Sequence, residues 1–152
     1  MVLRILNELD YPPDHLCLEV MERCRLLDLE LLKNVTANLN SRGILVALDD
    51  FGTGFSSVGI LRELPIDVIK IDRSFVTTIE ARDDDKKIVE TITSLGAIFG
   101  AKICVEGIES LSMRDILRRF NVTSFQGYYY AKPLTIDQLL TWREVGQCPT
   151  GH

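Results

Sequence analysis

Hydrophobic and polar positions along this chain switch repeatedly between two periods. Residues 2–9 put Leu3, Ile5, Leu6 and Leu9 on one side of a helix that Pro12 and Pro13 end. In residues 16–20, LCLEV, strict alternation predicts a strand with Cys17 and Glu19 on one face and Leu16, Leu18 and Val20 on the other. Residues 28–40 return to helical spacing, with Leu29, Leu32, Val35, Ala37 and Leu39 as the apolar side and Gly43 as the stop. The apolar run 44–48 is a buried strand that ends on Asp49 and Asp50. A polar loop follows, carrying Gly52, Thr53, Gly54, Ser56 and Ser57. A short helix over 58–63 stops before Pro65, and DVIKID at 67–72 is the next strand, with Lys70 near its end.

The second half repeats the scheme. Residues 75–81 form a helical turn. A charged start at 82–87, capped by Asp83 or Asp84, opens a helix that runs to Phe99 on the spacing of Ile88, Val89, Ile92, Leu95 and Ile98 and stops at Gly100. KICVE at 102–106 is a strand followed by Gly107, and Ser110 caps a helix over 110–120. A short strand at 122–126 leads into Gly127 and three tyrosines, and a last helix spans 135–145. One helix followed by five strand–helix rounds implies a parallel sheet with right-handed crossovers. Neither GxGxxG nor a Walker A motif appears, and apolar strands with polar C-terminal ends favour a barrel over a doubly wound sheet. Residues 1–145 are expected to form one domain and 146–152 a flexible tail.

Composition narrows the function classes. With 152 residues, 46% hydrophobic and 26% charged, the chain can bury a core. No apolar run approaches the ~18 residues of a membrane helix, and the start MVLRILNELDYPP lacks the pattern of a signal peptide. The cysteines make no CxxC pair, Cys17 and Cys104 are expected as buried thiols, and a reducing cytoplasm fits. A net charge of -5 without a basic patch argues against binding a nucleic-acid duplex.

The candidate chemistry sits at strand ends. Glu19, the pair Asp49 and Asp50, Lys70, Glu106 and Gln126 each close a predicted strand, so a barrel would gather them on one rim. Several carboxylates in one pocket call for hard cations such as Mg²⁺ or Mn²⁺, and such a site suits attack of water on a phosphodiester. Lys70 adds a fixed positive charge. His15 and His152, in a loop and in the tail, make zinc chemistry improbable. Asp67 and Asp72 read as solubilising or salt-bridging groups, Asp83, Asp84 and Asp85 as a solvated helix start, and Tyr128, Tyr129 and Tyr130 as packing against the rim.

Five segments in order, LEVMER, LDDFGTGFSS, LPIDVIKIDRSFV, VEGIES and FQGYYYAKPL, make the chain resemble the C-terminal two-thirds of an EAL-type cyclic-di-GMP phosphodiesterase domain. The resemblance runs from about Leu3 to Trp142. It implies an α/β fold, a partial (β/α)8 TIM-like barrel with about five parallel strands. It also implies hydrolysis of cyclic di-GMP to linear pGpG, with two Mg²⁺ or Mn²⁺ ions in an intact domain. By motif, Glu19, Asp49 and Asp50 would be metal ligands, Glu106 the general base or a metal-site carboxylate, and Lys70 the group that positions the attacking water. Glu22 would brace the glycine loop (Gly52, Thr53, Gly54, Ser56), Gln126 would line the site and Glu109 would support the rim. In the family the stretch 72–80 can contribute to dimerisation, which raises the interface reading of Phe75 and Val76 only slightly.

Two departures shape further expectations. Met21 stands where the family usually has threonine, and the Glu-Ala-Leu segment and an asparagine that also bind metal belong upstream of the matched stretch. The chain on its own is therefore expected to be inactive and to self-associate, for instance as a homodimer, while a parent protein would carry upstream sensor or signalling domains. The alternative is a degenerate, non-hydrolysing domain that binds cyclic di-GMP or a protein partner. A metal-free enzyme acting on a sugar phosphate is a weaker third reading.

Overall fold

The computed structural model describes residues 2–22, 29–53 and 57–145. Element order is α1 (Val2–Glu8), β1 (Cys17–Met21), α2 (Leu29–Asn40), β2 (Leu45–Phe51), α3 (Ser57–Glu63), β3 (Val68–Ile71), α4 (Asp83–Phe99), β4 (Lys102–Val105), α5 (Leu111–Leu117), β5 (Ser124–Phe125) and α6 (Ile136–Val145). The strands form one sheet in the order β1-β2-β3-β4-β5, and every pairing is parallel. Sequential parallel neighbours joined by right-handed crossovers carry their helices on the same side, which is the construction of a β/α barrel. β1 and β5 are the two edges of the sheet.

The faces divide by period two. Val46, Leu48, Ile69, Ile71, Ile103 and Val105 point toward the helices and are fully or almost fully buried. They pack in one cluster with Ile60 and Leu61 of α3, Val89 and Ile92 of α4, and Met113 and Leu117 of α5. The opposite, concave face carries the charged groups. Cys17 and Cys104 lie on it too, which corrects the expectation of buried thiols: Cys17 is exposed and Cys104 only partly buried, because period-two alternation puts them on the face opposite the core cluster. Partial burial still pushes both thiols above the usual cysteine range.

Local chemistry explains several boundaries. Ser110 caps α5 as expected, its Oγ accepting from the Met113 N–H at 3.1 Å. Gly100 ends α4 with φ +72°, the left-handed value a C-terminal stop requires. The expected cap of α4 by Asp83 or Asp84 is not made: Arg82 occupies that position without a side-chain hydrogen bond. Asp83 and Asp84 instead pair with Lys86 and Lys87 on the surface, while Asp85 is buried and accepts from Thr78 Oγ1 at 2.5 Å. In α2 the core stripe is Leu29, Leu32, Thr36 and Leu39; Val35 and Ala37 face outward. Asp67 and Asp72 serve the backbone. Asp67 Oδ2 accepts from Val46 N–H at 2.7 Å, and Asp72 Oδ1 accepts from Ser74 N–H at 2.9 Å. Val76 is wholly buried in the core. The tail from 146, with Cys148 and His152, lies outside the described residues, as do Cys24, Gly54 and Ser56.

Candidate active site

Four of the expected residues meet at the C-terminal ends of four adjacent strands. Lys70, on β3, is buried, and its Nζ lies 2.6 Å from Glu19 Oε1, 3.0 Å from Asp49 Oδ1 and 2.7 Å from Glu106 Oε1. Glu19 comes from β1, Asp49 from β2, and Glu106 directly follows β4. Parallel register delivers them together: Met21 pairs with Asp49 and Lys70 with Cys104, so each carboxylate is near the end of its strand on the concave face. Burial works against the Lys70 ammonium, but contact with Glu106, Glu19 and Asp49 outweighs it and holds the group well above the ordinary lysine range. Lys70 is therefore a permanent cation at physiological pH.

Adjacent Asp49 and Asp50 would point to opposite faces of a regular strand. The β2–β3 register shifts between Leu48 and Phe51, and Asp50 takes φ +55°, so a bulge replaces regular alternation where the two carboxylates sit. The Asp50 carbonyl then closes the following turn, accepting from Thr53 N–H at 3.3 Å and Thr53 Oγ1 at 2.9 Å. Glu22 is buried and its Oε2 accepts from Gly52 N–H at 3.2 Å, tying the end of β1 to the start of the glycine loop.

The rim on the β5 side is fixed by backbone contacts. Gln126 N–H donates to Val105 O at 2.8 Å, Ile108 N–H to Gln126 O at 3.1 Å, and Tyr129 N–H to Ile108 O at 2.9 Å. Gly127 is required there: a Cβ would lie 2.2 Å from Ile108 O. A cavity of about 170 Å³ opens beside this rim, and Glu106, Glu109 and Gln126 are in its wall. Arg73 and Tyr128 line it as well. Sequence reading passed over Arg73; its signal was its place next to Asp72, at the C-terminal end of the DVIKID strand.

The donor set fits a hard divalent cation. All the convergent ligands are carboxylate oxygens. Asp49 Oδ1 is buried and accepts no hydrogen bond, its 3.0 Å approach to Lys70 being a charge contact outside hydrogen-bond geometry. Among the described residues no three acidic, histidine or cysteine side chains enclose a common point as a cage; the carboxylates converge on the ammonium instead.

The sequence pattern of the EAL domain family matches residues 1–133. The chain belongs to the EAL domain family. It is 37% identical over 128 residues to MucR of Pseudomonas aeruginosa, a bifunctional diguanylate cyclase/cyclic di-GMP phosphodiesterase, covering 84% of this chain and 19% of MucR. The MucR phosphodiesterase in complex with cyclic di-GMP superposes with TM-score 0.83 at 35% identity, over 91% of this chain and 56% of that one. The EAL domain of DcpA from Mycobacterium smegmatis gives TM-score 0.91 at 34% identity, over 97% of this chain and 66% of that one. BlrP1 of Klebsiella pneumoniae, in a manganese and cyclic di-GMP complex, gives TM-score 0.81 at 26% identity, over 87% of this chain and 34% of that one. The chain thus spans about a fifth of MucR and less than two-thirds of the MucR phosphodiesterase chain. The expected barrel-type α/β fold with five parallel strands agrees with these EAL structures. No helix among the described residues is long and apolar enough to cross a membrane.

Proposed function

We propose that the carboxylate–lysine cluster is this chain's share of a metal-dependent cyclic-di-GMP phosphodiesterase centre. The observation that supports this most is the convergence of Glu19, Asp49 and Glu106 on Lys70 at the ends of parallel strands. Membership of the EAL family, with relatives named as cyclic-di-GMP phosphodiesterases or probable ones, supports cyclic di-GMP as the substrate. Glu19, Asp49 and Asp50 would hold Mg²⁺ or Mn²⁺, with Glu106 facing them across Lys70. A divalent ion there supplies charge neutralisation and polarisation of a phosphoryl oxygen.

The chain's own groups carry the remaining tasks. Glu106 accepts a proton from water as its oxygen attacks phosphorus. The P–O3′ bond breaks, the O3′ oxygen leaves as a hydroxyl by taking a proton from solvent, Glu106 returns its proton to solvent, and the product is linear pGpG. Lys70 cannot serve as the base because it stays protonated; it orients the water and stabilises developing negative charge. Glu22 keeps Gly52 in place, and through it the loop after Asp50. Gln126 and Glu109 line the substrate side.

A second reading is a domain that binds the dinucleotide without hydrolysing it. Met21 favours it, an exposed thioether paired in register with Asp49 and unable to donate a hydrogen bond behind the site. The 152-residue chain on its own is expected to form no pGpG with Mg²⁺ or Mn²⁺. Glu19 sits on an edge strand, its side chain is 50% exposed, and its carboxylate is held by Lys70 rather than by a closed ligand set. Product analysis by chromatography tests this, and steady pGpG formation by the isolated chain would mean that these carboxylates suffice.

A further inference from the structure

The cavity beside the lysine cluster has one wall, Glu106, in common with it, and Glu109 and Gln126 face the substrate side; Arg73 and Tyr128, also in its lining, have no role in the reaction described above. That lining is chemically varied. Arg73 supplies a planar fork of donors, Glu109 a carboxylate, Gln126 an amide, and Tyr128 an aromatic ring that is 59% exposed. Lys132 Nζ lies 5.9 Å from the centroid of that ring.

Arg73 is built into its position. Asp72 caps the turn that contains it, and the Arg73 carbonyl accepts from Val76 N–H at 3.0 Å and from Thr77 N–H and Oγ1, both at 2.9 Å. Its stem rests on Gly107, the residue after Glu106. Gly107 has φ +72°, and a Cβ there would lie 2.5 Å from Arg73 Cβ. The absence of a side chain at 107 is what lets Arg73 stand against the site. Arg114, by contrast, is engaged by Asp115 and lies over Tyr129.

We propose that Arg73 is a specificity-determining residue that reads a guanine base in this cavity. The inference rests on the cyclic-di-GMP reading of the adjoining site. Guanine offers two acceptors, O6 and N7, on one edge, and a guanidinium pairs with both at once. Its N1–H and N2 amino donors suit a carboxylate such as Glu109. Adenine reverses the match, setting an amino donor against the guanidinium and a bare acceptor nitrogen against the carboxylate. The cavity therefore discriminates between the two purines. A plain phosphate site would need only the positive charge.

Equilibrium binding of cyclic di-GMP and cyclic di-AMP to the 152-residue chain in Mn²⁺ tests this, with R73A and R73K as variants. The wild type is expected to prefer cyclic di-GMP by about tenfold or more, the scale of one bidentate base contact. R73A is expected to lose about that factor for cyclic di-GMP and to change little for cyclic di-AMP. R73K, which keeps the charge and loses the fork, is expected to behave like R73A. An equal loss for both dinucleotides in R73A, rescued by R73K, makes Arg73 a phosphate contact and overturns the proposal. Unchanged discrimination in R73A, with tight cyclic di-GMP binding kept, overturns the proposal alone. A wild type that binds neither dinucleotide overturns both the proposal and the phosphodiesterase reading.

Discussion

Replacing Lys70 by methionine removes the charge and keeps most of the stem. In the wild type one ammonium meets three carboxylates at 2.6, 2.7 and 3.0 Å. A unit pair at 3 Å interacts by about 1.4 kcal/mol even at the dielectric constant of water, so three sum to about 4 kcal/mol. The desolvation of Lys70 and the half-exposed position of Glu19 reduce this. A net loss of about 2 kcal/mol is the reasonable expectation, which corresponds to a Tm lower by about 4–8 °C for a domain of this size. Three carboxylates without a counter-charge bind cations better than the same three around an ammonium. Millimolar Mn²⁺ is therefore expected to raise the Tm of K70M more than that of the wild type, in thermal melts followed by circular dichroism. The pH dependence has a definite sign. The folded Lys70 pKa is raised, so its contribution is complete below the unfolded value of about 10.4 and is lost only as pH climbs through the higher folded value. The gap between K70M and wild type should then stay level from neutral pH to about pH 10 and narrow beyond it. A K70M chain that melts with the wild type, or that gains less from Mn²⁺, would refute the charge argument.

Two further outcomes follow from the sheet. Asp67→Ala leaves the N–H of fully buried Val46 without its 2.7 Å acceptor and should cost about 1–3 kcal/mol in denaturant unfolding, while Asp67→Asn, which keeps an acceptor oxygen, should recover most of it. With β1 and β5 both open, the chain is expected to sediment as a species larger than its 17.2 kDa monomer; a sharp monomer at micromolar concentration would show that the edges protect themselves.

The strands were legible because each apolar run ends on a charged or polar group, and a parallel barrel sheet turns that regularity into a shared rim. Glu19, Asp49, Lys70 and Glu106 could be listed from strand ends alone, and the structure brings them within one ion-paired cluster. What escaped was non-local. Thr36 takes a core position expected for an aliphatic residue because its hydroxyl is satisfied by Leu32 O at 2.9 Å within its own helix. Asp85 is buried in a run of aspartates because Thr78, seven residues earlier, supplies its partner. The bulge at Asp49 and Asp50 breaks the period that a strand reading assumes. Arg73 acquires its place from Gly107, a contact between chain segments that no local pattern encodes.

The central claim is that these strand-end carboxylates form a divalent-cation site serving cyclic di-GMP. Calorimetric titration of cyclic di-GMP into the 152-residue chain, with Mn²⁺ and with a chelator, tests it most directly when repeated on Asp49→Asn. The account predicts binding in Mn²⁺ that is lost on chelation and in Asp49→Asn, since an amide oxygen is a poor ligand for a hard cation. Binding that ignores both the metal and the substitution, or no binding under any condition, would contradict it.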